Sequence, residues 1–288
     1  MIVMIERELH ISWNKLLASL IVVFVLAALA AAFVPGSARA ADGKTVRLSY
    51  DAYIGLFYVV SAEAELHLSG NRYDVVTRAR SEGIASLLFS WQSEARSMGH
   101  RTDGRLVPRL HEVNGKWSGE GRKVRLSYSG PGKIDSEVSP PSDGTERDSV
   151  PTWLTVGTVD PLSATLTVLL RLAGGGRCEG EFPVFDGRRR YDMVVRAGAP
   201  ATLLAVHSSV FAGPAQRCDF QLRRIAGFWK KRSRFGRRVT DPTLWVASPL
   251  DGVPPVPVQF TAATGFGELR IHLTRVQRGR QILALPES

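Results

Sequence analysis

Polar and apolar residues alternate with a period of two along much of the chain after residue 44. Val46, Leu48 and Tyr50 are separated by polar residues, and the same period recurs over residues 62–68 and again after the turn at residues 69–71. Strict alternation is typical of antiparallel strands that bury one face and expose the other. The first part of the chain is therefore predicted to form an antiparallel meander.

Two dipeptides predict hairpin turns further along the chain. Asn114-Gly115 follows an apolar run, and Asp186-Gly187 separates the apolar residues 182–185 from residues 191–195. Both dipeptides tolerate the positive φ angles of two-residue hairpin loops. Later strands are predicted over residues 218–225, 243–247, 256–261 and 267–273.

One helix is predicted to begin at Asp160-Pro161, where Asp is a favourable N-cap and Pro a favourable first helical residue. Its leucine-rich sequence continues to Gly174-Gly175-Gly176, a natural stop. Residues 83–89 fit either a short helix or a loop that leads into a strand through Trp91. Residues 129–152 are rich in Ser, Pro, Gly and charge, and they are expected to form a long exposed loop.

These elements predict a mainly β fold, a curved antiparallel sheet with one or two short helices packed on it. A long antiparallel sheet tends to curl around its apolar face into a barrel or half-barrel. A β-sandwich is the alternative.

The N-terminal 40 residues have the pattern of a cleavable secretory signal. Residues 16–34 are uncharged and apolar, Lys15 precedes them, and Ala38-Arg39-Ala40 supplies the small residues of a cleavage site. We expect a signal peptide over residues 1–40 and a single β-rich periplasmic domain over residues 41–288. The apolar stretch is also just long enough to cross a bilayer, so an uncleaved inner-membrane anchor is the alternative.

The chain is strongly basic, with a formal net charge of +10. In an exported protein the anions within reach are lipid phosphates, lipopolysaccharide and other wall polymers, so nucleic acid is not an expected partner.

The two cysteines, Cys178 and Cys218, both follow the signal. Two cysteines in an oxidising compartment usually pair, and without a Cys-x-x-Cys motif the bond is expected to be structural. Two unpaired thiols on different strands are the alternative.

Local motifs for catalysis or metal binding are absent from the sequence. The six histidines are scattered, no His-Glu-x-x-His occurs, and no Gly-x-Ser-x-Gly marks a hydrolase nucleophile. We therefore expect no catalytic residues, metal or cofactor. A hydrolase or transferase acting on wall or lipid polymers would instead show as a buried, convergent group of Asp, Glu, His or Ser from distant parts of the chain.

Two basic stretches are candidates for contact with anions. Residues 185–192 carry Arg188, Arg189 and Arg190, which either form a solvated hairpin edge or lie at a ligand mouth and pair with phosphate or carboxylate. The second stretch is either a solvated hairpin tip or an electrostatic contact with an anionic membrane. Its six basic residues are Lys230, Lys231, Arg232, Arg234, Arg237 and Arg238.

Several short motifs occur in a suggestive order: Gly70-x-x-Tyr73, Asp160-Pro161-Leu162-Ser163, residues 185–192, Leu244-Trp245-Val246-Ala247 and Gly267-x-Leu269. In this order the chain resembles the bacterial domain-of-unknown-function family 3108 over nearly everything after the signal. The resemblance implies an exported envelope protein similar in architecture to periplasmic lipoprotein carriers, with a half-barrel closed by helices over an apolar cavity. It implies no catalytic residues.

The leading hypothesis is a non-enzymatic periplasmic binding protein for a lipophilic or acylated ligand. Phe57, Leu66 and Trp91 are the candidates for its pocket, and the three arginines at 188–190 are the candidates for an anionic head group. The alternative is an envelope scaffold that docks on anionic lipid or a protein partner through the basic residues at 230–238.

Overall fold

The computed structural model describes residues 45–88, 90–130, 132–141, 147–230 and 240–286. The predicted signal over residues 1–40 lies outside them. In the described residues the chain is mainly β, with helix α1 at Gly83–Leu88, helix α2 at Pro161–Ala173 and a 3₁₀ turn at Thr152–Leu154. The strands are β1 (Thr45–Ile54), β2 (Phe57–Ser69), β3 (Arg72–Ser81), β4 (Trp91–Thr102), β5 (Arg105–Trp117), β6 (Glu120–Tyr128), β7 (Ile134–Ser139), β8 (Gly180–Phe185), β9 (Arg190–Ala197), β10 (Ala201–Leu203), β11 (Gly213–Ala226), β12 (Thr240–Ala247), β13 (Val256–Thr264), β14 (Gly267–Arg278) and β15 (Gln281–Ala284).

The strands join one antiparallel sheet in the order β7-β6-β5-β4-β3-β2-β1-β14-β13-β12-β11-β9-β8, with β10 beside β11 and β15 beside β14. The first seven strands are neighbours in sequence order, which confirms the predicted meander. One continuous sheet confirms the predicted curved antiparallel fold and replaces the β-sandwich alternative.

The alternating pattern of β1 becomes an alternation of buried and half-exposed side chains. Val46, Leu48 and Tyr50 face the core, and the Tyr50 hydroxyl donates a hydrogen bond of 2.9 Å to the carbonyl oxygen of Pro257 on β13. On the neighbouring strand β2, Leu66 is buried opposite Val46. Burial of one face is what makes the sheet curve around a shared apolar interior.

Helix α2 fills part of that interior. It begins where the sequence predicts, with Asp160 as the N-cap, and it ends at Ala173 before Gly174. Leu166, Val168 and Leu169 belong to the same buried apolar cluster as the inward-facing side chains of the strands. Because the helix buries residues on most of its faces, the sheet wraps it instead of merely supporting it.

Two sequence predictions about turns are wrong. Asn114-Gly115 lies inside β5, and the turn follows at Ser118 and Gly119, both with positive φ. Gly115 serves close strand packing, because a Cβ there would lie 3.1 Å from the carbonyl oxygen of Gln92 on β4. The predicted loop over residues 129–152 contains strand β7, whose register with β6 aligns the apolar pair Val138 and Val124.

The two edge strands of the sheet, β7 and β8, approach each other across a seam, defined here as the gap between them and the segment 147–159 that lies in it. Val159 forms a parallel bridge to Val184 of β8. Phe185, at the end of β8, packs in one cluster with Leu126 of β6 and with apolar residues of β7. The described part of the seam is thus closed mainly by side chains, with no ladder of backbone hydrogen bonds from β7 to β8.

The predicted disulfide is present between Cys178, just before β8, and Cys218 on β11. Both residues are fully buried and belong to the main apolar cluster. The bond closes a loop of 40 residues and ties the chain that leaves α2 to the sheet.

Candidate functional site

The hairpin between β8 and β9 is built on a buried ion pair. Its four-residue loop is longer than the two-residue turn that Asp186-Gly187 predicts. The Asp186 carboxylate accepts hydrogen bonds from the backbone N–H groups of Arg188 (2.9 Å) and Arg189 (2.7 Å) and from Nε of Arg189 (2.7 Å). Burial lowers the pKa of Arg189, but the Asp186 carboxylate outweighs that effect and leaves the pKa raised. The Arg189 side chain is therefore held within the hairpin by Asp186.

Arg190 is also held structurally. Its Nη1 donates to Asp192 at 2.6 Å, and its Nε donates to the carbonyl oxygen of Leu154 at 3.0 Å. Asp192 also accepts from Arg223 on β11, at 2.6 Å and 3.0 Å. Although burial raises the pKa of Asp192, its hydrogen bonds with the two arginines outweigh burial and leave the pKa lowered.

Arg188 alone among the three arginines reaches across the seam. Its Nη2 donates to the carbonyl oxygens of Ser139 (3.1 Å) and Pro140 (2.8 Å), at the end of β7. Neutral carbonyls hold the guanidinium in place without cancelling its charge. Burial, and then the nearby charge of Arg122, lower the pKa of Arg188.

Arg147 enters the same region from the segment that lies in the seam. Its guanidinium carbon lies 3.7 Å from the centre of the Trp229 ring, a cation–π contact. Burial, together with the charges of Arg189, Arg188 and Arg122, lowers the pKa of Arg147 to about 10, although the Asp186 carboxylate acts in the opposite direction. A lowered arginine pKa means that the site disfavours the positive charge as it stands, so an anion placed there is favoured.

Arg147 and Arg188 line a pocket of about 200 Å³ in the seam, called the seam pocket below. One part of its wall is apolar and is formed by Ile134, Val138, Val150 and Phe185. The remaining lining consists of the polar residues Ser136, Asp148, Ser149, Thr152 and Thr155, together with Gly187.

Positive charge exceeds negative charge among the described residues around this pocket. The cations are Arg147, Arg188, Arg122 and Arg189, with Lys230 nearby, and the carboxylates are those of Asp148 and Asp186. Asp186 is engaged by Arg189, and the exposed Asp148 pairs with Lys230 at 2.8 Å. Because Arg147 and Arg188 both line the pocket, an anion bound there would lie close to two guanidinium groups. Arginine suits this role, since its planar donors match phosphate and carboxylate.

A second polar group lies in the interior, where Asp160, the N-cap of α2, meets strands β4 and β5. Its carboxylate accepts hydrogen bonds from Ser163 (N, 3.0 Å; Oγ, 2.6 Å) and from Ser97 Oγ (2.8 Å), and it lies 3.3 Å from His111 Nδ1. The Tyr73 hydroxyl lies 2.7 Å from Ser163 Oγ. Burial, followed by the Asp160 charge, raises the pKa of Tyr73.

This interior group is the kind of convergent Asp, His and Ser set that a hydrolase would use, but it is closed to solvent. Ser97, His111, Asp160 and Ser163 are each 0% exposed. Neither ring nitrogen of His111 forms an aligned hydrogen bond to any described residue, including the two serines. The hydroxyls instead turn toward Asp160 and complete the cap of α2.

The pocket residues predicted from sequence are spread over different places. Phe57 is 62% exposed at the start of β2, at one end of the sheet. Leu66 is buried in the core, and Trp91 is buried against Trp117 with the ring centres 6.5 Å apart. The structure does not bring these three side chains together in one pocket.

Of the basic residues at 230–238, only Lys230 belongs to the described residues. Lys231, Arg232, Arg234, Arg237 and Arg238 lie outside them. The stretch joins β11 to β12, as the sequence predicts.

Sequence reasoning missed Arg147 and the interior group. Arg147 lies in a stretch that has the composition of a loop, and nothing in the sequence links it to Arg188. Among the described residues, no three metal-ligating side chains cluster, and no helix has the length and apolarity to cross a membrane.

The comparisons with known proteins concern family and fold. No curated protein matches the chain. Among solved structures, the chain is similar to a beta-barrel-like protein of domain of unknown function DUF1849 from Brucella abortus, with 12% identity and a TM-score of 0.49 over 83% of this chain and 99% of that one. The family model of DUF3108, described as a protein of unknown function, matches residues 49–274. That match covers well over half of the sequence and confirms the resemblance seen in its motifs: the chain belongs to the DUF3108 family.

Proposed function

We propose that the protein is an exported, non-enzymatic binding protein of the cell envelope, and that the seam pocket takes the acidic head group of a lipophilic or acylated ligand. The observation that carries the proposal is that two arginines, Arg147 and Arg188, line the same pocket. Burial and neighbouring arginines lower the pKa of each. A phosphate or carboxylate there would relieve the repulsion between the two cations.

The size and lining of the pocket support a head group with the first carbons of a chain. Sites for drug-sized ligands usually enclose about 300–1,000 Å³, and the seam pocket, at about 200 Å³, is smaller. Its apolar wall, with Val138, Val150 and Phe185, offers contact to a short stretch of hydrocarbon. The ligand class is therefore an anionic amphiphile whose remaining length extends along the seam or into solvent.

The export part of the proposal is supported by two independent features. The disulfide Cys178–Cys218 suits an oxidising compartment such as the periplasm. The sequence of residues 1–40 has the pattern of a secretory signal. The non-enzymatic part is supported by the complete burial of the Asp160 group, whose hydroxyls are engaged in the cap of α2.

The proposal is tested by calorimetric titration with hexyl phosphate, which carries both an anion and a short chain. Hexanol and inorganic phosphate, each offering only one of the two features, are expected to bind more weakly. Loss of one charge-assisted contact costs roughly 1.5–3 kcal/mol, so Arg147→Gln and Arg188→Gln should each weaken binding by about ten- to a hundred-fold. Glutamine removes the charge and keeps a polar side chain at each position.

Arg101→Gln is the matched control, because Arg101 is an exposed arginine at the far end of β4. It should bind hexyl phosphate like the wild type. Equal binding by the wild type and both seam variants would contradict the proposal, as would binding of hexanol as tight as that of hexyl phosphate.

A further inference from the structure

One end of the sheet carries a row of exposed apolar side chains. Leu56 is 97% exposed at the tip of the β1–β2 hairpin, next to Phe57 at 62%. Ile84 (52%) and Leu87 (85%) are exposed on α1, and Phe266 (37%) is exposed at the β13–β14 turn. These five residues are called the apolar rim below.

The three parts of the rim are neighbours, because backbone hydrogen bonds join the segments that carry them. The N–H of Gly55 donates to the carbonyl oxygen of Glu268 at 3.1 Å, which joins the β1–β2 tip to the start of β14. The N–H of Glu82 donates to the carbonyl oxygen of Val59 at 2.9 Å, which places α1 directly beside β2. Single exposed apolar residues are common on soluble proteins, whereas a contiguous apolar patch usually marks an interaction site.

The same end of the sheet continues into a cationic half. The β5–β6 turn adjoins Ser90, two residues beyond the end of α1, since the N–H of Ser118 donates to the carbonyl oxygen of Ser90 at 2.7 Å. Lys116, Arg122 and Lys123, on the strands beside this turn, are all exposed. Next in order round the end come the β8–β9 hairpin with Arg188 and then Lys230. The exposed acids here include Glu120, Asp148 and, at the start of the neighbouring strand β12, Asp241.

We propose that this end of the sheet docks on an anionic lipid bilayer, with Leu56, Phe57 and Leu87 entering the interface and the cationic half contacting lipid phosphates. A bilayer matches both features at once, because it presents anionic head groups directly above an apolar layer. The docking surface borders the seam pocket at Arg188, but its test uses Lys116, Arg122 and Lys123, none of which lines that pocket.

Site-specific depth measurement tests the docking surface in the full chain. A single nitrobenzoxadiazole label is placed on Leu56→Cys, and the protein is reconstituted into vesicles of equal parts phosphatidylcholine and phosphatidylglycerol that contain a spin-labelled lipid quencher. Every variant carries the same apolar segment 16–34, so any membrane attachment through that segment is common to all of them. A difference in fluorescence quenching between two labels therefore reports how close each labelled residue lies to the bilayer. Leu87→Cys provides a second rim position.

The matched control is Leu204→Cys, because Leu204 is 80% exposed at the opposite end of the sheet. It follows the strand that pairs with the start of β11, roughly 40 Å from the end of β11 at Ala226. We expect several-fold stronger quenching at the two rim labels than at Leu204→Cys, and weaker rim quenching in pure phosphatidylcholine.

The cationic half is tested by adding Lys116→Ser, Arg122→Ser and Lys123→Ser to the rim-labelled protein. Quenching in the anionic vesicles should then fall toward the value in phosphatidylcholine. Quenching at the rim no greater than at Leu204→Cys overturns the proposal, and so does rim quenching that is equal in the two kinds of vesicle.

Discussion

Removal of the Asp160 carboxylate should destabilise the protein more than almost any other single polar substitution. In the folded chain this buried group receives three hydrogen bonds, two from Ser163 and one from Ser97, and lies 3.3 Å from His111. Asp160→Ala deletes all of them at once. The same substitution also removes the N-cap of α2, the helix around which the sheet is wrapped.

The magnitude follows from two contributions. Loss of an N-cap typically costs about 1 kcal/mol. Removal of a buried acceptor leaves the donors of Ser97 and Ser163 unsatisfied, which costs roughly 1–3 kcal/mol. Some of the loss is recovered, since the hydroxyls of Ser97 and Ser163 lie 3.0 Å apart and can bond to each other. We expect Asp160→Ala to lower the unfolding free energy by about 2–4 kcal/mol.

Urea unfolding followed by tryptophan fluorescence measures this loss. Asp160→Asn keeps a favourable N-cap residue and should cost less than alanine, which also makes it the variant to measure if Asp160→Ala does not fold. The control is Asp135→Ala, an exposed aspartate on β7, which should stay within about 0.5 kcal/mol of the wild type. A loss below about 1 kcal/mol for Asp160→Ala, or an equal loss for alanine and asparagine, would refute the structural role assigned to this group.

Three further predictions test the disulfide, an ion pair and the seam. Replacing both disulfide cysteines with serine should lower the unfolding free energy by about 4 kcal/mol, given the loop of 40 residues, and urea midpoints equal to the wild type would contradict this. The pKa of Asp192 is lowered in the folded state, so its stabilising contribution is present above the unfolded carboxyl pKa and is lost as the pH falls through the folded value. Asp192→Asn should therefore be less stable than the wild type at neutral pH, and in an acid unfolding series the difference should begin to shrink below about pH 4 and vanish once the pH is below the folded pKa. Gly187→Ala would place a Cβ 2.4 Å from Val124 Cγ1, whereas Gly119 has the same φ of +87° and no neighbour within 4 Å. Thermal unfolding should therefore show a larger loss of stability for Gly187→Ala than for Gly119→Ala. Equal losses of stability would argue against tight seam packing.

The sequence predicts the sheet well because its signal is local. Alternation along β1 and β2 reports directly which face is buried, and Asp160-Pro161 marks the start of α2 through chemistry that acts within one turn. The Asn114-Gly115 prediction fails because glycine has a second use, close approach to the neighbouring strand, that local sequence cannot distinguish from a turn.

The candidate site is harder to predict, because it depends on which distant segments the curled sheet brings together. Arg188, Arg189 and Arg190 are equivalent in sequence, yet acids at positions 186 and 192 engage two of them and leave Arg188 to cross the seam. Its partner Arg147 arrives from a segment about forty residues earlier. Only the meeting of the two sheet edges places these cations at one pocket.

The most direct test of the account is hydrogen–deuterium exchange of the full chain with and without hexyl phosphate. We expect added protection along the seam, in β7, in residues 147–155 and in the β8–β9 hairpin, and no added protection in the Arg147→Gln, Arg188→Gln double variant. Protection confined to other strands of the sheet, or protection of the seam that persists in the double variant, would contradict this expectation.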